Sequence, residues 1–195
     1  QCRKRHLLSR LHITSVFICD GKIFKNPLDC DTRFIRETLD FPAGPNTFVH
    51  PKYPQYLLSA MNGIVFYYQK RILVKSLLKI QKHISFKTGN INFVGDMAIF
   101  GSVRSGFSIF ANNIRIKGMV EGGVAKSAQN MIIDGGARGL TDGTNLIEAS
   151  GKLLISSIER MRIHVHGNIV VNKDCQHSIV YGGNNILIKG QLYGG

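Results

Sequence analysis

The chain has no tryptophan, no CxxC pair among its four cysteines, and no apolar run near the roughly 20 residues of a membrane-crossing helix. It therefore reads as soluble, and a paired-cysteine zinc site is excluded. Cys2, Cys19, Cys30 and Cys175 are unevenly spread, three of them in the first thirty residues, so no disulfide framework follows. Acidic residues are scarce, 12 against 25 Lys and Arg, which leaves a formal charge of +13. That excess brings acidic partners, nucleic acid or anionic lipid, into consideration. There is no initiating Met. The opening QCRKRHLLSRLHITSVFICDG lacks the apolar core and small-residue cleavage site of a signal peptide, and the chain reads as a segment of something longer.

What is present changes along the 195 residues. Up to His83 there are 14 basic and 5 acidic residues, a balance of +9; from Ile84 there are 11 and 7, a balance of +4. Glycine runs the other way, 3 before Ile84 and 18 after it. All five prolines (Pro27, Pro42, Pro45, Pro51, Pro54) fall in the first part, so residues 21–56 are expected to be extended and loop-rich. From Tyr56 the runs YLLSA, GIVFYY and RILVKSLLKI, broken at Asn62-Gly63 and Gln69-Lys70, predict short strands in hairpins, with a helix over 71–82 as the alternative. Three regions follow: an irregular segment over 1–43, a small β-rich region over 44–83, and a third region over 84–195.

The third region is a repeat. GDMAI, NNIRI, QNMII, GKLLI, GNIVV and NNILI place the second residue of each leading pair at Asp96, Asn113, Asn130, Lys152, Asn168 and Asn185, with spacings of 17, 17, 22, 16 and 17. The two positions flanking the middle of each following triplet are Met97/Ile99, Ile114/Ile116, Met131/Ile133, Leu153/Ile155, Ile169/Val171 and Ile186/Ile188, all apolar. Each triplet thus has one buried strand face. Upstream, Ser108/Phe110, Ala125/Ser127, Ile147/Ala149, Ile163/Val165 and Val180/Gly182 predict a second strand per repeat. Seventeen residues is too short for a helical-hairpin repeat and fits one coil of a β-solenoid. The fold class is therefore all-β, a single-stranded β-solenoid (β-helix) of about 17-residue coils preceded by a small β-rich region. Gly95, Asn112, Gly151, Gly167 and Asn184 are expected at corners, because Gly and Asn tolerate a left-handed backbone. The extra residues Gly139 to Thr144 are expected to bulge as a loop.

These residues resemble the β-solenoid domain of the flagellar assembly protein A (FapA) family. Ile84 to Val103, ISFKTGNINFVGDMAIFGSV, is similar to the segment that opens that solenoid, with TGNINFVGD its most specific part. IRIKGMVEGG (114–123), IIDGGARG (132–139) and ILIKG (186–190) also resemble the family, as does the strand-rich stretch over 44–80. A weaker echo begins at Gly21 in GKIFKNPL. Asn-Asn and Gln-Asn replace Gly-Asp at several corners, and the first twenty residues match nothing in the family. The resemblance implies a bacterial, cytoplasmic protein acting in flagellar assembly or its placement at the cell pole, with both ends of the chain truncated.

Candidate chemistry is thin. His164 and His166 could share a strand face with Cys175 and His177 a turn further on, but no acidic or cysteine cluster completes a zinc site. Asp96, Glu121, Asp134, Asp142, Glu148, Glu159 and Asp174 fall at different offsets within the repeat, so they form no carboxylate ladder for acid–base work, and Asp142, in the inserted loop, is only loosely suggestive. GGARGLTDG lacks the Gly-Lys-Ser/Thr ending of a phosphate loop. No catalytic residue, cofactor, metal or small-molecule substrate is expected. The residues that matter are the inward ladder Ile99, Ile114, Ile116, Ile133, Leu153, Ile155, Ile169, Val171, Ile186 and Ile188. The expected function is non-enzymatic scaffolding through protein partners or self-association. The alternative is an anionic partner, nucleic acid or acidic membrane, held by Lys70, Arg71, Lys75 and Lys79, with Arg3, Lys4, Arg5, Arg10 and Lys82 in support and Tyr67 and Tyr68 for stacking.

Overall fold

A computed structural model describes residues 42–53, 56–141 and 144–194, together with the backbone of Phe17–Cys19 and Lys22–Phe24. The chain divides into two units, Gln1–Ser76 and Leu77–Gly195. The expectations for the first forty-one residues lie outside the described residues, except that Phe17–Cys19 and Lys22–Phe24 pair as an antiparallel hairpin.

In the first unit, Thr47–Val49 pairs antiparallel with Leu57–Ser59, and Ile64–Tyr68 with Arg71–Lys75. Gln69 and Lys70, at φ of 49° and 60°, form the two-residue turn of the second hairpin, since two successive left-handed residues match the twist of the strands. Alternation along Arg71–Lys75 sends Ile72 and Val74 inward, where Leu57 packs against Ala43, Val65 and Ile72. Two expectations are corrected. No helix forms over 71–82, because β-branched and aliphatic residues at alternate positions fill a sheet face instead. Asn62-Gly63 does not close a hairpin: Leu57–Ser59 pairs back to Thr47–Val49, and Gly63 lies where a Cβ would sit 2.7 Å from the Lys75 carbonyl carbon.

The second unit is a stack of parallel coils. One sheet of seven strands contains Leu77–Ile80, Asp96–Ile99, Ile114–Ile116, Met131–Ile133, Leu153–Ile155, Ile169–Val171 and Ile186–Ile188. A six-stranded sheet precedes it in each coil: Ile91–Asn92, Ser108–Ala111, Val124–Ser127, Leu146–Ala149, Arg162–Val165 and Ile179–Gly182. These are called the second and first sheets. A third sheet, which the repeat pattern did not announce, holds the two-residue strands Val120–Glu121, Ala137–Arg138, Ile158–Glu159, Cys175–Gln176 and Leu192–Tyr193. Single bridges Ile84↔Val103 and Val103↔Val120 extend it to the first coils. The solenoid therefore starts at Leu77 and not at residue 84, since Leu77–Ile80 is hydrogen-bonded in parallel to Asp96–Ile99.

Register is one residue per residue from coil to coil, so like stacks on like: Ile116 over Ile99, Ile133 over Ile116, Ile155 over Ile133, Val171 over Ile155. Ile99, Ile114, Ile116, Ile133, Leu153, Ile155, Ile169 and Val171 are buried in the coil interior, with Ile109, Ile147 and Ile163 of the first sheet and Val120, Ile158 and Cys175 of the third. Ile186 and Ile188 continue the two inward columns over Ile169 and Val171, but no described coil lies beyond them, and Ile186 is 44% exposed. In the first sheet the inward pair of the Ser108–Ala111 strand is Ile109 and Ala111, not Ser108 and Phe110. Only Asn112-Asn113 separates that strand from the next, where the following coil uses three residues, 128–130, and this slips the alternation by one.

The left-handed corners also differ from expectation. Most follow the third sheet, at Gly122, Asn145, Arg160, His177 and Gly194, with φ between 42° and 64°, joined by Gly106 at 79° and by Gly136, just before Ala137–Arg138, at 89°. Gly95, Asn112, Gly151, Gly167 and Asn184 are not among the left-handed residues. Close stacking explains glycine at the corner before the third sheet: a Cβ on Gly118 would lie 2.5 Å from the Gly101 carbonyl oxygen, and one on Gly135 equally near that of Gly118.

The Asn at the first-to-second corner builds a ladder instead. Asp96 Oδ1 accepts from the backbone N–H of Asn113 at 3.2 Å and its side-chain amide at 2.9 Å. Asn113 Oδ1 accepts in the same way from Asn130, and Asn130 Oδ1 from the Lys152 N–H at 3.0 Å. Lys152 has no acceptor to pass on, and the pattern resumes between Asn168 Oδ1 and the Asn185 N–H at 3.1 Å.

Candidate functional site

With the interior filled by aliphatic side chains, the solenoid offers its three outward faces. The third sheet carries a column of alternating sign, Arg104, Glu121, Arg138 and Glu159, joined by the ion pairs Arg104–Glu121 and Arg138–Glu159, the latter at 3.1 Å. The first sheet presents Phe110, Lys126, Glu148, His164 and Tyr181 in one column, with Lys126 Nζ 2.8 Å from Glu148. On the second sheet the outward column begins Lys79, Ala98, Arg115 and then turns apolar: Ile132, Leu154, Val170 and Leu187, the last 52% exposed. Water-facing strand positions are ordinarily polar, so four aliphatic side chains stacked in the outward row form an apolar stripe. The sequence carries its signal in the triplets MII, LLI, IVV and ILI, whose middle residue is apolar where IRI has an arginine.

The residues considered for chemistry are dispersed. Cys175 is buried in the third sheet, and burial raises its thiol pKa above the ordinary value. His164 faces outward on the first sheet with its ring 5.1 Å from that of His166 and edge-on to Tyr181 at 6.3 Å, while His177 turns a left-handed corner. Among the described residues no group of three or more His, Cys, Asp or Glu could hold a metal ion. Asp142 lies outside the described residues. The other acids each have a structural partner. Asp96 heads the ladder, Glu121, Asp134, Glu148 and Glu159 pair with basic side chains, and Asp174 Oδ1 accepts from the Gln191 N–H at 2.8 Å. Among the described residues no helix is long and apolar enough to cross a membrane.

An open groove of about 480 Å³ lies beside the third sheet, lined by Phe86, Phe107, Met119 and Leu140, with the paired Arg104 and Glu121 on its wall. Phe86 and Phe107 meet edge to face at 5.1 Å. Of the basic residues singled out in the sequence, Arg71 and Lys75 share the exposed face of the 64–75 hairpin, and Lys70 sits at its turn. Lys79 belongs to the other unit, on the first solenoid strand.

The family model of the Flagellar Assembly Protein A beta solenoid domain matches residues 76–195. No curated protein and no solved structure matches the chain. The matched span contains every strand of the stack from Leu77 onward, and it exceeds half of the sequence. By that match the chain belongs to the Flagellar Assembly Protein A family.

Proposed function

We propose that the chain is a non-enzymatic scaffold that acts in the assembly of bacterial flagella, or in placing them at the cell pole, by holding a protein partner or another copy of itself along the solenoid. The observation that carries this reading is the outward stripe Ile132, Leu154, Val170 and Leu187. Parallel ladders fix the spacing of these side chains at one strand separation, about 4.8 Å, so the stripe is a rigid, flat surface that needs no ordering before contact. Removing such surface from water on association is favourable, at about 25 cal/mol per Å². The family match supports the flagellar setting.

The test is genetic, in a flagellated bacterium that encodes the protein. Deletion should change the number or position of flagella seen by electron microscopy, and the wild-type gene should restore them. Leu154→Arg with Leu187→Arg should fail to restore them while the purified variant keeps its melting temperature. Unaltered flagella after deletion would overturn the reading, and full complementation by the variant would remove the stripe from it. Sedimentation of purified wild-type and variant protein separates self-association from a foreign partner.

A further inference from the structure

We propose that the tip of the 64–75 hairpin is a membrane-docking element for an anionic bilayer, a role beyond scaffolding and independent of it. Residues 66–71 (Phe-Tyr-Tyr-Gln-Lys-Arg) are exposed without interruption, Tyr67 at 57% and Tyr68 at 63%. Alternation places Tyr68 with Phe66, Arg71 and Lys75 on one face. Tyr67 lies on the opposite face, that of Val65, Ile72 and Val74, and since Val74 is buried and Tyr67 is not, the ribbon outruns its own core there. The tip therefore carries a phenol ring on each side and Lys70 and Arg71 at its end.

Charge complementarity selects the partner. Between Asp40 and Asp96 the sequence has no acidic residue, so Lys52, Lys70, Arg71 and Lys75 have no carboxylate near them in the chain. Lys75 Nζ stands 5.2 Å from the Phe66 ring centroid, a cation over an aromatic face. Tyrosine is amphipathic and settles at the headgroup level of a bilayer, where neighbouring Lys and Arg reach anionic headgroups. A single-stranded nucleic acid would need its rings on one surface for successive bases to stack, whereas Tyr67 and Tyr68 project to opposite sides of a two-stranded ribbon.

The whole chain should co-sediment with vesicles of phosphatidylcholine mixed with phosphatidylglycerol and not with phosphatidylcholine alone. The double variant Lys70→Asn, Arg71→Gln keeps a residue that tolerates the left-handed turn and should weaken partition about 30-fold, the effect of removing two basic residues from an anionic surface. Tyr67→Ser with Tyr68→Ser should weaken it as well, with the melting temperature unchanged in both. Because the chain has no tryptophan, Tyr68→Trp is a clean reporter whose emission should shift to the blue on anionic vesicles, while Tyr193→Trp on the solenoid should not shift. Absence of vesicle binding, binding indifferent to the tip variants, or an unshifted indole emission from the Tyr68→Trp variant would overturn the proposal. A single-stranded oligonucleotide that binds more tightly than vesicles, and loses affinity in the tip variants, would overturn it in favour of a nucleic-acid interface.

Discussion

Asn113 Oδ1 accepts hydrogen bonds from both the backbone N–H and the side-chain amide of Asn130, one coil along, at 3.1 and 3.2 Å. A single carboxamide thus closes one corner and orients the next. Asn113→Ala should leave the Asn130 N–H without this acceptor and cost about 1–2 kcal/mol, read as a lower midpoint in urea. Lys152 interrupts the ladder, so Lys152→Asn should restore an acceptor beneath Asn168 and add about 0.5–1 kcal/mol. An unchanged or lower midpoint for Lys152→Asn would mean that the ladder reports corner geometry without contributing to it.

The apolar column makes a contrast between two chemically identical changes. Ile116→Asp places a carboxylate at a position with no exposure, between Ile99 and Ile133; it should cost more than about 4 kcal/mol and leave no cooperative transition by circular dichroism. Ile186→Asp, at the half-open end of the neighbouring inward column that runs through Ile114 and Ile169, should cost under about 1.5 kcal/mol. Equal losses would show that the final coil is packed as firmly as the middle.

Glycine substitutions separate crowding from backbone strain. Gly118→Ala drives a methyl to 2.5 Å from the Gly101 carbonyl oxygen and forces two coils apart, with an expected loss above about 2 kcal/mol. At Gly106, φ is 79° and a Cβ would meet nothing within 4 Å, so Gly106→Ala should lose only the roughly 1–2 kcal/mol of a left-handed L-residue. Thermal melts of the two variants rank them, and the reverse order would refute the close-stacking account.

Burial raises the Cys175 pKa in the folded chain, so the native state holds its proton where the unfolded chain releases it. Stability is then fully present below the unfolded thiol pKa, about 8.5, and falls as pH rises above it toward the folded value. In a background with Cys2, Cys19 and Cys30 changed to serine, the melting temperature should drop more steeply from pH 8 upward than in the same protein carrying Cys175→Ala. A thiol reagent should label Cys175 only after denaturation.

The coil period and the second-sheet strands were legible because alternation over three residues recurs with the Asn-containing pairs at a nearly constant interval. The third sheet was not, since a two-residue strand supplies one inward side chain, and Val120, Ala137, Ile158 and Cys175 share no obvious type. The left-handed corner was hidden for a related reason: Arg160 and His177 occupy it in two coils, so no glycine marks it there. Asparagine in the leading pairs points to backbone tolerance, whereas Asn113 and Asn130 hold their corners through side-chain hydrogen bonds, which a sequence pattern does not display. The basic tip residues were visible as charges; that Tyr67 and Tyr68 face opposite ways depends on strand register, which composition does not carry.

The third and first sheets are joined by two residues in most coils, as at 122–123, but by seven at 139–145. The base of that longer joint is clasped by Asn145, whose Oδ1 accepts from the Leu140 N–H at 3.0 Å and whose Nδ2 donates to the Leu140 carbonyl at 2.6 Å. Above and below it Val124 still pairs with Leu146 in unbroken register. The contour length of the chain is here decoupled from the length of the rod. A peptide tag or fluorescent domain grafted between Leu140 and Asn145 would ride outside the stack, which makes this corner a built-in port for following the protein without disturbing its faces.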